Sequence, residues 1–235
     1  MLKRLLLIIV IIQLSSCAEL QQVVESLPEE AGALTNTDIA SGLRQALDFG
    51  IEKQVSKLTQ KDGFYKNDLV KILLPKELQK VDKTLRDIGL SSLADEGLKV
   101  LNRAAEDAVK EATPIFVDAV KGITFNDAKN ILLGNDDAAT QYLKNGTQAA
   151  LYNKFNPVIK NSFSKVGADQ IWENMITKYN AVPFTKDVNP DLTDYVTNEA
   201  LGGVYTMIAV EEKEIRNNVS SRTTTLLQKV FKLQD

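Results

Sequence analysis

The chain has 235 residues, with 28 Lys+Arg against 31 Asp+Glu, one Cys and no His. Without His there is no Ser-His-Asp triad and no Cys-His pair, and one Cys cannot make a site of the usual zinc ligands; acid–base chemistry would fall to carboxylates, Lys or Tyr. A hydrophobic share of 44% with 25% charge belongs to a globular chain rather than a disordered one, and 12 Gly and 6 Pro are few for the many turns of an all-β fold.

The N-terminus reads as an address. Lys3 and Arg4 precede an apolar run over 5–12, and Leu14-Ser15-Ser16-Cys17 follows. The run is too short to span a bilayer but suits a secretory signal. Its ending resembles a bacterial lipobox, in which the chain is cut before the Cys and the new N-terminal Cys carries lipid. Residues 1–16 are then a signal peptide, and 17–34 are the lipidated Cys17 and a polar tether. Ala18, where a sorting rule known for enteric bacteria uses Asp to retain proteins in the inner membrane, implies an outer-membrane address on the periplasmic side. Loss of Lys3 and Arg4 makes the mature chain more acidic, which argues against nucleic acid as a partner.

The body, 35–235, reads as all-α, a single bundle of about eight to ten helices. Thr35 and Asp38 have helix-start spacing, and Ile39, Leu43, Leu47, Ile51, Val55 and Leu58 follow at helical period. Residues 61–74 are a loop in which a β-hairpin is one option. Pro75 opens a helix that Gly89 ends. Ser91 or Ser92 starts the next, with Leu98, Leu101, Ala105, Ala108, Ala112 and Ala119 in step and Pro114 expected to kink or split it. Thr124 caps a short helix closed by Gly134. Asn135-Asp136-Asp137 caps a long one, where Gly146 is tolerated and Pro157 should bend the axis. Further helices are expected over 168–179, carrying Trp172, over 192–217 and over 220–231, with 181–191 irregular. Asp136 and Asp137 lack the later Gly and Glu of a calcium loop, and no metal or cofactor is expected.

Polar residues on apolar arcs are the informative exceptions. At about 100° per residue, Val196, Ala200, Val204, Met207, Ile208 and Ile215 share an arc with Glu211 at its centre. Glu212 and Arg216 fall outside it, spaced as a surface pair. A carboxylate on a packing face needs a partner; Arg103 and Arg222 are the candidates for Glu211. On the helix after Ser91, Asp95, Asn102 and Glu106 form a polar stripe on the shoulder of the apolar arc, with Arg103 beside it. The stripe would line a groove or edge the solvated face.

Taken together, several runs resemble one bacterial family of exported proteins: Ala94-Asp95-Glu96, Leu101-Asn102-Arg103-Ala104-Ala105-Glu106, Asp136-Asp137-Ala138-Ala139-Thr140-Gln141-Tyr142, Glu211-Glu212 with Ile215-Arg216, and Arg222-Thr223-Thr224. The family is known as a domain of unknown function, number forty-one ninety-seven, and the resemblance covers 35–232. It implies an exported helical domain and supplies no catalytic residue. It adds weight to Asn102, Arg103, Glu106, Glu211 and Arg222, as a polar groove or as buried ion pairs.

Three functions compete. The first is a non-catalytic, membrane-anchored module that binds a protein or another envelope partner. The second is a carrier of a lipid or other apolar ligand between helices splayed at Pro114 and Pro157. The third is a carboxylate enzyme acting on cell-wall glycan, although the Gly-Leu-Met-Gln motif of lytic transglycosylases is absent.

Overall fold

The computed structural model describes residues 34–87, 89, 91–165 and 191–235. The expected signal peptide, Cys17, most of the tether, the helix carrying Trp172 and most of the irregular stretch 181–191 lie outside the described residues. All regular structure among the described residues is helical, and no strand occurs.

Helix α1, Asn36–Leu58, buries the expected row from Ile39 to Leu58. The chain leaves it sharply. Asp62 has a φ of 69°, and a Cβ on Gly63 would lie 2.4 Å from the Lys57 carbonyl oxygen. Only Gly lets the backbone double back this close to a helix end. Residues 61–74 then form an irregular strap whose Phe64, Val70, Ile72 and Leu74 are buried while Leu69 and Leu73 are exposed. The β-hairpin is not formed. The buried Asn102 side chain occupies the backbone edge of Ile72 that a second strand would need, accepting from its N–H and donating to its C=O, both at 2.8 Å.

Pro75 leads into a 3-10 turn, Lys76–Leu78, and helix α2, Gln79–Asp87. Gly89, at φ 82°, ends it as expected. Helix α3, Ser91–Val109, and helix α4, Ala112–Lys121, are the two pieces into which Pro114 splits one apolar pattern. The break falls at Lys110 and Glu111, because the Pro ring clashes with the carbonyl four residues back and offers no N–H to it. Helix α5, Phe125–Leu132, starts in a full capping box: Thr124 accepts from the Asp127 N–H, and Asp127 accepts from the Thr124 N–H.

Helix α6, Ala138–Lys165, runs on through Pro157. It packs against α3, α4, α5 and helix α7, Leu192–Asn217. Its buried residues Ala139, Leu143, Thr147, Leu151, Phe155, Ile159 and Phe163 recur every fourth position. Each step of four turns the stripe by about 40°, so the buried face winds around α6 and meets different neighbours along its length. Tyr205 of α7 closes the middle of this contact: its hydroxyl bonds the buried Thr147 hydroxyl at 2.8 Å, and its ring meets Phe116 edge-on with centroids 6.0 Å apart.

The expected last helix over 220–231 is interrupted. A 3-10 turn, Val219–Ser221, is followed by a non-helical Arg222 and then helix α8, Thr225–Phe231, capped by Thr224. Arg222 breaks the helix because its guanidinium turns back to donate to the Ile215 and Arg216 carbonyls. α8 returns against α1, where a Cβ on Gly42 would come within 2.6 Å of Val230. Residues 37–235 form one compact unit.

Candidate functional site

The polar residues singled out from the sequence separate into two places. The first is the junction of α3 with the strap. Asn102 makes three side-chain hydrogen bonds, two to the Ile72 backbone and one from Nδ2 to the Leu98 carbonyl. One turn along, Glu106 Oε1 accepts from the Phe64 N–H at 3.2 Å, and its Oε2 takes Arg103 at 2.9 Å. Arg103 also reaches Asp62 at 2.7 Å. At Asn102 and Glu106 the stripe is thus neither an open groove nor a solvated edge: the strap covers both residues. A short irregular segment cannot satisfy its own backbone, and α3 supplies the missing partners. Asp95 stands apart from this cluster and bonds Arg86 of α2 at 2.8 Å, with both side chains well exposed.

On the outer side of the junction Asp62 also pairs with Lys66 at 2.9 Å. The Lys66 hydrogen bond, with the Arg103 and Lys61 charges, holds the Asp62 carboxyl below its ordinary value. Lys61, Asp62, Tyr65, Lys66, Lys99 and Arg103 line an open cleft of about 500 Å³.

The second place is the C-terminal half of α7. Glu211 is buried, as the arc requires, but its partners are on α1: Lys53 and Gln54 each donate to one carboxylate oxygen at 2.6 Å. Neither Arg103 nor Arg222 reaches it. Periodicity places Glu211 on a packing face without naming the helix opposite, and that helix is α1. The neighbouring Glu212 and Arg216 are not a surface pair; both are under 10% exposed. Glu212 accepts from the N–H groups of Ala139 and Thr140, at 2.9 and 2.8 Å, and from the Thr140 hydroxyl. Arg216 donates to Glu212 and to the Ile131 and Leu132 carbonyls. The carboxylate therefore caps the start of α6 and the guanidinium caps the end of α5, each charge matching the helix pole it meets. The cap of α6 expected from Asp136 and Asp137 is replaced by this distant one. Arg222 is 2% exposed and, beyond its carbonyl bonds, grips the Asp235 carboxylate with both terminal nitrogens. That hydrogen bonding holds the Asp235 carboxyl below its ordinary value.

Arg103 and Glu106 are thus brought together, with Asn102 one turn away, while Glu211 and Arg222 serve separate contacts. Lys53, Gln54 and Asp62 are not singled out by the sequence pattern, and Glu212 and Arg216 are paired by it but placed at the surface. Gly63 is the one local signal that pointed at Asp62, since a Gly after a polar helix end marks a tight reversal. Over Glu211 lies an open cleft of about 600 Å³, with Phe49, Glu52, Lys53 and Ser220 on its walls. Both Glu211 oxygens are engaged, so the carboxylate meets that cleft already hydrogen-bonded. A small cavity between α1, α6 and α7 measures about 20 Å³, room for one water. Among the described residues no group of three or more acidic or Cys side chains could hold a metal, and no helix is long and apolar enough to cross a membrane.

No curated protein and no solved structure matches the chain. The family described as Protein of unknown function (DUF4197) matches residues 33–232. That span includes α1 to α8 with both polar clusters, and the chain belongs to this family.

Proposed function

We propose that the chain is a lipid-anchored, non-catalytic binding module of the bacterial envelope, a single helical bundle of about eight to ten helices held by a short tether on the periplasmic face of the outer membrane. The observation that carries the reading is Leu14-Ser15-Ser16-Cys17 at the end of a basic-then-apolar N-terminus. Each buried acyl CH2 contributes about 0.8 kcal/mol, and stable anchoring takes more than one chain, a condition that a triacylated Cys17 meets. The buried polar side chains support a binding module over an enzyme: Asn102, Glu106, Glu212, Arg216 and Arg222 are bonded to backbone groups that the fold would otherwise leave unmet. The one-water cavity between α1, α6 and α7 favours a surface partner over an apolar cargo at that position.

The test is fatty-acid labelling and membrane fractionation of the full chain and its Cys17→Ser variant in a bacterial host. The full chain takes up label and sediments with outer membranes; the variant does neither. A wild-type chain that stays unlabelled and soluble overturns the anchor. Crosslinking in intact envelopes then recovers a partner of the anchored chain that the variant loses.

A further inference from the structure

The cleft beside the strap has the opposite sign to the chain. The protein is acidic overall, at −3, yet Lys61, Lys66, Lys99 and Arg103 line this one cleft with Asp62. Lys71 stands beside it, its ammonium 4.4 Å from the centre of the Tyr65 ring, and Lys99 is 5.8 Å from the same centre. Two ammonium groups tied to one ring can be no more than about 10 Å apart, within one Debye length at about 0.1 M salt, so their fields add in the solvent around that ring. The acid that lines the cleft and the one behind it are already engaged: Asp62 with Lys66 and Arg103, and Glu106 with Arg103 and the Phe64 N–H. Among the described residues Lys61, Lys71 and Lys99 have no carboxylate within ion-pair distance.

The wall behind these lysines is fixed. Gly63 fits only because it lacks a Cβ, and Arg103 is bonded to Asp62 and Glu106 through both terminal nitrogens. The cations also bear on the ligand. A guanidinium fork grips carboxylate and phosphate alike, whereas ammonium groups act as point charges, the manner in which Lys binds phosphate oxygens. The only guanidinium lining the cleft already has its two terminal nitrogens occupied, and the cations left over are ammonium groups.

We infer that the cleft formed by the strap and α3 is a binding site for a phosphate-bearing anion, held by Lys61, Lys71 and Lys99 around Tyr65. The phosphate is that of a lipid headgroup or of a soluble phosphate compound. The site is independent of the anchor, so failure of the Cys17 test leaves it standing.

The experiment is lysine footprinting by acylation and mass spectrometry on the full chain in non-ionic detergent, at constant ionic strength. Probes are inorganic pyrophosphate, micelles doped with phosphatidylglycerol, micelles doped with zwitterionic phosphatidylcholine, and acetate. Reactivity at Lys71 and Lys99 falls roughly fivefold or more at saturating pyrophosphate or phosphatidylglycerol, while Lys144 and Lys154 on α6 do not change. Protection by both probes assigns a site open to soluble phosphate; protection by phosphatidylglycerol alone assigns a lipid headgroup. Lys71→Gln with Lys99→Gln keeps the helical circular dichroism of the parent and loses the protection at Lys61. The inference is overturned by no protection from either phosphate source, by equal protection from acetate, by equal protection at Lys144, or by protection of Lys61 that survives in the double variant.

Discussion

The strap junction and the C-terminal half of α7 address one problem with different chemistry. Each buries polar side chains, and in each the partners are backbone groups that regular structure leaves unmet. At the strap the unmet groups belong to an irregular segment, and the chief donor and acceptor is a neutral amide, Asn102. At α7 they belong to two helix ends, and the partners are a carboxylate and a guanidinium bonded to each other. An amide can face an N–H and a C=O at once without a charge to desolvate. Helix poles carry partial charges, so full charges of opposite sign suit them. The cost of taking two ions from water is offset only when pairing and hydrogen bonding are complete, and around Glu212 and Arg216 they are.

The comparison is broken most directly at the ion pair. Glu212→Gln leaves the buried Arg216 without its counter-charge and should cost about 3–5 kcal/mol. Glu211→Gln, one residue earlier, should cost about 1 kcal/mol or less, because its partner Lys53 has a side chain 52% exposed that can turn to water. Urea unfolding of the two variants reads the difference; equal losses would mean that the helix-end bonds of Glu212 add nothing.

A middle-sized effect is expected at the strap. Asn102→Ala leaves the buried N–H and C=O of Ile72 unmet, for a loss of about 2–4 kcal/mol. Limited trypsin digestion sharpens this: cleavage at Lys66 or Lys71 should precede cleavage elsewhere in the body. A variant whose strap resists trypsin as the parent does would show that Phe64, Val70 and Ile72 hold the segment by apolar burial alone.

The smallest pair tests how closely α7 sits on the strap. A Cβ on Gly203 would lie 2.7 Å from the Phe64 ring and 3.3 Å from Val70, whereas one on the adjacent Gly202 meets nothing within 4 Å. Gly203→Ala should destabilise by about 1–3 kcal/mol through overpacking, and Gly202→Ala should stabilise by up to about 1 kcal/mol through helix propensity. Thermal melts moving in the same direction would contradict the contact.

Local signals carried much of the fold. The span 192–217 was expected and is the observed α7; Asp191 caps it through the Thr193 N–H. Pro114, Thr124 and Gly89 each act at the place their chemistry indicates. The hairpin option failed because Asn102, 30 residues away, took the edge of Ile72. The last helix is shorter than its apolar period suggests, because nothing in 220–224 signals that Arg222 reaches back to α7.

By itself the sequence determined the all-helical class, most helix ends and the burial of Glu211, because capping, breaker residues and the 3.6-residue period act over a few neighbours. It also determined that the chain carries a lipobox-like N-terminus and lacks His chemistry. Only the tertiary structure decided which backbone each buried polar group would serve. Glu211 meets Lys53 across 158 residues, and Glu212 meets Ala139 across 73. Periodicity reports which side of a helix faces inward, while the partner is set by how helices cross, and along α6 the buried face winds from one neighbour to the next. The packing of the strap on α3 likewise brings Lys61, Lys66 and Lys99 to one cleft beside Tyr65 in a chain that is acidic overall.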